Sequence, residues 1–345
     1  MQLARTRTTA AALAAGALAL AGCSSSSGGS ALPKPATSNQ ASAGPVCPLT
    51  GLPQANGQRA NRVALAVKVD NIGPARPQAG VNNADVVFEE LVEGGLTRLM
   101  VVFQCQRAGT VGPIRSARIS DADLLALLHG SVLGYSGANP KDMPPIRAHS
   151  GAALVPYDNL PQYFHLDSAR PAPHNVFSST STLLQAGLKL RSNLEAPLPL
   201  FTYGAISTSA RPARHITLAW PDSAARWVWS NGTWLRDQGE HTYSMTPDTL
   251  SDGQQISATN VVVLGVDIAS TGLHDVLGNA SPLDVTIGSN PAWVLRDGKL
   301  IRGTWTRKAI DDEISLTDAQ GHAIALAPGR TWVELLPRPG KPTRH

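Results

Sequence analysis

Glu89 and Glu93 stand four residues apart, and what they can do depends on the backbone between them. A helix would bring the two carboxylates within about 6 Å, a spacing suited to paired-carboxylate glycoside hydrolysis. A strand would hold them roughly 13 Å apart, outside that range. Val86-Val87-Phe88 favours pleated backbone and Gly94-Gly95 reads as a turn, so a strand is expected, with Glu89 paired to an arginine. Downstream, Arg115 and Arg118 flank Ser116, just before a helix expected at Ser120 through His129. Free N–H groups at a helix start favour an anion, and two guanidinium groups could clamp phosphate or carboxylate there. Asp70, Asn71, Arg76, Arg98, His174 and Asn175 complete the candidate ligand-binding set. The same arginines could instead pair with Asp70, Asp85, Glu89 or Glu93 in a structural network; both readings stay open.

Other chemistries find less support. The histidines show no HxxxH, HxH or HExxH spacing, so no metal site and no cofactor are expected. Tyr135-Ser136-Gly137 ends an expected strand but lacks the Gly-x-Ser-x-Gly elbow of a serine hydrolase. Trp227, Trp229 and Trp234 could stack on sugars, yet as hairpin neighbours they are expected to pack in a core.

The elements that must position these residues fall into two groups. Val63–Val69, Ala84–Val92, Thr97–Gln104 and Ser131–Tyr135 read as strands. With the Ser120 helix they make an amino-terminal α/β domain over residues 46–195. Residues 215–338 read as strands and turns, with hairpins on Asn231-Gly232, Asp297-Gly298 and Asp318–Gly321, and further strands at Asn260–Val266 and Thr331–Leu336. A smaller all-β barrel or sandwich is therefore expected there, and the fold class is mixed α+β. All seven tryptophans lie after residue 215, which suggests that the two halves have different cores, joined by a Pro-rich linker at 196–214.

The amino terminus reads as an export signal. Arg5 and Arg7 precede an apolar run, Thr9 to Ala21, which is shorter than the roughly 20 residues a membrane-spanning helix needs. Leu20-Ala21-Gly22-Cys23 looks like a bacterial lipobox, giving a signal peptide over 1–22 and lipidation of Cys23. Residues 23–45 then form a Ser/Gly/Pro tether. Removing the two arginines takes the formal charge from +4 to +2. No Lys/Arg run remains to suggest a nucleic-acid partner. Once Cys23 is acylated, Cys47 and Cys105 are left as a pair, and an exported protein would join them as a disulfide.

Several motifs occur together and in order: Pro48-Leu49-Thr50-Gly51, Asp70-Asn71, Ala75–Gly80, Ala84–Glu89, Glu93–Arg98, Val111–Arg118, Pro173-His174-Asn175, Gly303-Thr304-Trp305 and Pro328–Trp332. Over residues 46–338 the chain resembles the YerB-like lipoprotein family, domain-of-unknown-function family 3048. The resemblance implies a bacterial envelope lipoprotein with amino- and carboxy-terminal domains and implies no activity. The expectation is therefore an extracytoplasmic protein, lipid-anchored to the cell membrane, that binds an anionic envelope ligand such as a peptidoglycan or wall-polymer fragment. A hydrolase or transferase using Glu89 or Glu93 with His174 is the rival, and a docking lipoprotein for another envelope protein is a third reading.

Overall fold

Apolar residues on both faces of a strand demand a sheet covered on both sides, and three runs of the first half meet that condition. In the computed structural model, which describes residues 45–54, 57–275 and 277–344, strands β1 (Leu65–Asp70), β2 (Val86–Leu91) and β3 (Thr97–Phe103) are buried along their whole length. β3 lies between β1 and β2 and is antiparallel to both. The turn joining β2 to β3 places Gly94 and Gly95 at φ 70° and 73°, left-handed backbone that glycine adopts without a Cβ clash. Helix α1 (Asp121–Ala126) leads to β4 (Val132–Tyr135), and α2 (Met143–His149) to β5 (Ala153–Pro156). These strands extend the sheet in parallel beside β1.

Helix α3 (Thr180–Leu190) was not expected from the sequence. Ser179 caps it, its Oγ accepting from the Thr182 amide at 3.1 Å, and Leu183, Ala186 and Gly187 form its buried side. A Cβ at Gly187 would lie 2.3 Å from Val132 Cγ2, so the approach of α3 to β4 excludes any larger residue.

The second half is all-β among the described residues. A meander of β6 (His215–Trp220), β7 (Ser223–Ser230) and β8 (Thr233–Gly239) turns on Asn231-Gly232. Then follow β9 (Asn260–His274), β10 (Ala280–Val285), β11 (Gly288–Arg296), β12 (Lys299–Arg307), β13 (Ser315–Asp318) and β14 (Thr331–Pro337). The Asp297-Gly298 hairpin joins β11 to β12. The mixed fold class is as expected: an α/β first half and an all-β second half.

The expectation of different cores is corrected. One sheet runs β13-β12-β11-β9-β14-β2-β3-β1-β4-β5, so β14 of the second half lies parallel between β9 and β2. The physical reason is in β14 itself, which is buried from Thr331 to Leu336 and needs a neighbour on each edge and a layer on each face. Trp227 and Trp332 pack edge to face at 5.3 Å in the same cluster as Val67 and Leu99. On the other face, Trp305 and Val333 share a cluster with Phe88 and Met100.

Residues 196–214 carry no α-helix and connect the halves along a path tied down at a few buried points. Leu200 and Phe201 are buried. The Tyr203 hydroxyl donates to the Leu49 carbonyl at 2.6 Å, and Arg211-Pro212 pairs with β12. Cys47 and Cys105, 58 residues apart in sequence, are joined by a disulfide with Cα atoms 6.1 Å apart, and closing a loop of that many residues stabilises the fold by about 4 kcal/mol. The signal peptide 1–22, Cys23 and the tether up to residue 44 lie outside the described residues.

Candidate anion-binding site

Strand parity sorts the charged residues of the first half into two groups. Lys68, Asp70, Glu90 and Arg98 share one face of β1–β3; Glu89 and Thr97 share the other. Asp70 and Arg98 are cross-strand neighbours, as are Glu90 and Arg98. The first face is deeply buried at Lys68 and opens progressively towards Arg115.

At the buried end, Lys68 forms ion pairs with Glu90 and with Asp121, the latter at 2.7 Å. Burial is the largest influence on Glu90 and, with Asp121 nearby, outweighs the Lys68 ammonium, pushing the carboxyl up to about 7. Asp284 on β10 closes this end; burial and then Glu90 push it well above the usual carboxylate range.

At the open end three guanidinium groups meet. Arg115 Nε donates to Asp70 Oδ2 at 3.1 Å, and His174 Nδ1 lies 2.9 Å from the same oxygen. Arg118 Nε donates to Glu93 Oε2 at 2.8 Å, and the Ser281 hydroxyl of β10 donates to Glu93 Oε1 at 2.6 Å. Arg98 sits between these pairs. It is buried and donates through Nη1 to the Ser116 carbonyl at 3.1 Å, but its Nε finds no acceptor. Burial, reinforced by Arg118 and Arg115, lowers the Arg98 guanidinium to about 10. No carboxylate forms an ion pair with it among the described residues, although Asp70 and Glu93 act on it from farther away.

The helix start is not where an anion would bind. α1 spans Asp121–Ala126, shorter than expected, and its first residue places a carboxylate at that position: Asp121 Oδ2 accepts the Arg118 amide at 2.7 Å. Any bound anion must approach the side chains of Arg98, Arg115 and Arg118 rather than the helix.

The expected site residues therefore divide. Asp70, Arg98, Arg115, Arg118, His174 and Glu93 come together. Asn175 adjoins them and accepts the Asp167 amide through its carbonyl at 2.8 Å. Asn71 and Glu89 belong to the opposite face: Asn71 Nδ2 and the Thr97 hydroxyl donate to Glu89 Oε1 at 3.0 and 2.7 Å. Glu89 Oε2 accepts from Arg236 at 2.6 Å, so the expected arginine partner comes from the second half. Arg76 lies on that side too, lining a small cleft with Asp222, Gln238 and Glu240. Glu89 and Glu93 thus serve different networks and do not face each other across a cleft.

Around Arg236 a fully buried cluster spans the halves. Arg236 also pairs with Asp248, and its guanidinium lies 4.9 Å from the Trp332 ring centre. Glu334, beside Glu89 in register, receives the Trp227 indole N–H at 2.6 Å. Burial, and next the Glu89 carboxylate, push Glu334 well above the usual carboxylate range. Trp227 and Trp234 are buried, which makes them packing residues rather than a sugar platform.

Sequence reasoning missed Lys68, Glu90, Asp142, Asp284 and Glu334. The signal was available for two of them: Lys68 interrupts Val63–Val69 and Glu334 interrupts Trp332–Leu336, and a charge inside a buried strand must find a partner. A groove of about 720 Å³ is lined by Val46, Tyr203, Ile314, Leu316 and Ile324 among others. It holds none of the candidate residues.

Comparison with known proteins agrees with this architecture. Residues 49–192 match the family model described as "Protein of unknown function (DUF3048) N-terminal domain", and residues 216–333 match its "C-terminal domain" counterpart. A protein of Bacillus subtilis (strain 168) named "Putative lipoprotein YerB" is 28% identical over 301 residues, covering 84% of this chain and 86% of the relative. The crystal structure of YerB protein from Bacillus subtilis superposes with a TM-score of 0.72 at 21% identity, covering 86% of this chain and 99% of that one, which shows a shared fold. With both matched regions in order and together spanning most of the described residues, the chain belongs to the YerB-like DUF3048 family.

Proposed function

We propose that this is an extracytoplasmic lipoprotein, anchored through Cys23, whose first half binds an anionic group of a cell-envelope ligand such as a peptidoglycan or wall-polymer fragment. The anchor rests on Leu20-Ala21-Gly22-Cys23 and on the likeness to a relative named as a lipoprotein. Among the described residues no helix is long and apolar enough to cross a membrane. Cys23→Ala should leave a precursor with no mass shift from lipid, read by mass spectrometry of the membrane and soluble fractions. A lipid-modified Cys23→Ala protein would refute the anchor.

The observation that carries the binding reading is Arg98. A buried guanidinium without an ion pair is unfavourable unless another group completes it, and Arg115 and Arg118 stand beside it with partly exposed side chains. An anion arriving at this point gains charge-assisted hydrogen bonds from preorganised donors.

Arg98→Met separates binding from structure, because it strands no ion-paired carboxylate. If Arg98 is there for a ligand, the variant should fold at least as stably as the wild type and lose at least tenfold in affinity for anionic wall fragments. Thermal melts and a binding titration measure both. Unchanged binding by a stable Arg98→Met protein removes the proposal.

A further inference from the structure

Lys68 stands in the middle of β1 among buried apolar residues, Ala66 and Val67 before it and Val69 after it. A buried ion pair is seldom more stabilising than well-packed apolar side chains of similar volume, so stability alone gives little reason for a lysine here. Its Nζ is enclosed by Glu90 from β2 and Asp121 from α1, with all three side chains fully buried.

The contacts around that amine are specific. Nζ lies 2.7 Å from Asp121 Oδ1, one bond from the carboxyl carbon. The other oxygen of the same carboxyl, Oδ2, accepts the Arg118 amide at 2.7 Å. Asp284 on β10 closes this end, and neither of its oxygens has a hydrogen-bond partner among the described residues. Arg98 and Asp142 are coupled to the cluster from farther away. One ammonium thus faces three acids, Glu90, Asp121 and Asp284, shielded from solvent. Condensation of an amine with a carboxyl needs a nucleophile beside the carbonyl carbon, a donor on the oxygen that becomes negative, and a proton carrier touching the amine. All three are in place.

We infer that Lys68 and Asp121 condense to an intramolecular isopeptide bond, with Glu90 as the proton carrier. The Lys68 ammonium gives one proton to Glu90, and the freed amine attacks Asp121 Cγ. Negative charge gathers on Oδ2, where the Arg118 amide holds it. Oδ1 then takes one proton from the attacking nitrogen and one back from Glu90, the Cγ–Oδ1 bond breaks, and water leaves. The three ammonium hydrogens end as one amide N–H and two on water, so no oxidant or outside reactant is consumed. Glu90, pushed up to about 7, can both take and return a proton near neutral pH. Turning a buried ion pair into a neutral amide removes the desolvation cost of both charges. The bond ties β1 to α1 across 53 residues, in a loop that overlaps the one closed by Cys47 and Cys105, and unlike the disulfide it is indifferent to reductant.

Mass spectrometry of the detergent-solubilised full-length protein tests this. After denaturation, reduction and digestion with trypsin, the peptide that begins at Val63 should be joined to the one that begins at Ile119. The joined mass should be one water below the sum of the two, with no cleavage after Lys68. Lys68→Met should abolish the linked peptide, and Glu90→Gln should slow its formation by about a hundredfold or more. Wild-type protein that trypsin cleaves after Lys68, with both peptides at full mass, overturns the inference. So does a bond from Lys68 to Glu90, or water lost elsewhere while Lys68 and Asp121 stay free. A Glu90→Gln protein that links as fast as the wild type overturns the part given to Glu90. Should either variant not fold, the wild-type digest still decides.

Discussion

Arg236→Met is expected to lower the unfolding free energy by about 3–5 kcal/mol, the range for removing one partner of a buried charge cluster. The arginine neutralises Glu89 and Asp248, both of which are buried, and methionine would leave them facing each other and Glu334 without a cation. The carboxyls would then take up protons, so part of the loss should return at low pH. The double variant Arg236→Met/Glu89→Gln should be less destabilised than the sum of the singles, since Gln can still accept from Asn71 and Thr97. Because Glu89 comes from the first half and Arg236 from the second, the loss should appear as one shifted transition rather than as release of one half. Urea unfolding followed by tryptophan fluorescence and by far-ultraviolet dichroism checks both points. A variant as stable as the wild type would show that the cluster contributes nothing net.

The second large effect is on pH. Glu90 is pushed up to about 7 and Asp142 to about 6, chiefly by burial, and burial also raises Asp284 and Glu334 well above the ordinary carboxylate range. In an unfolded chain such groups titrate near 4. Between these limits the folded protein binds more protons than the unfolded one, so raising the pH favours unfolding. The stability these groups supply is complete below about pH 4 and is lost as pH rises through 6 and 7. Glu93 acts in the opposite sense: Arg118 and the Ser281 hydroxyl hold it below its ordinary value despite burial, and its contribution disappears in stronger acid. The melting temperature should therefore be higher at pH 5 than at pH 7.5, and Glu90→Gln should flatten the slope. A melting temperature that climbs from pH 5 to 7.5 would contradict this.

Much of the fold was legible from periodicity and turn chemistry. Asn231-Gly232 and Asp297-Gly298 mark hairpins because they tolerate left-handed backbone, and the structure places both pairs at positive φ. The Cys47–Cys105 pairing followed from arithmetic once Cys23 was assigned to lipid. The partner of β14 was not legible: a strand buried on both faces announces that it needs neighbours but not which ones. α3 was missed because Ser179-Thr180-Ser181-Thr182 resembles a loop, although Leu183, Ala186 and Gly187 already had helical spacing. In the site, the arginines were visible from their spacing with Ser116. The separation of Glu89 from Glu93 needed only strand parity and a turn. Asp142 was hidden, because nothing local announces that its carboxyl is buried and that the two prolines after it leave it no amide to accept from.

The insertion of β14 between β9 and β2 also governs how the chain can fold. Thr331 pairs with Val86, a separation of 331 − 86 = 245 residues, and contacts that distant in sequence form slowly because a long loop must close first. On the proposed export route, with the chain emerging in order, β1, β2 and β3 would pair early, but the outer edge of β2 would keep its amide and carbonyl groups open until β14 has followed. That interval presents an apolar, unpaired edge of the kind that templates misassembly. Holding the nascent chain away from its neighbours, rather than catalysing any local step, is the assistance its export would most require.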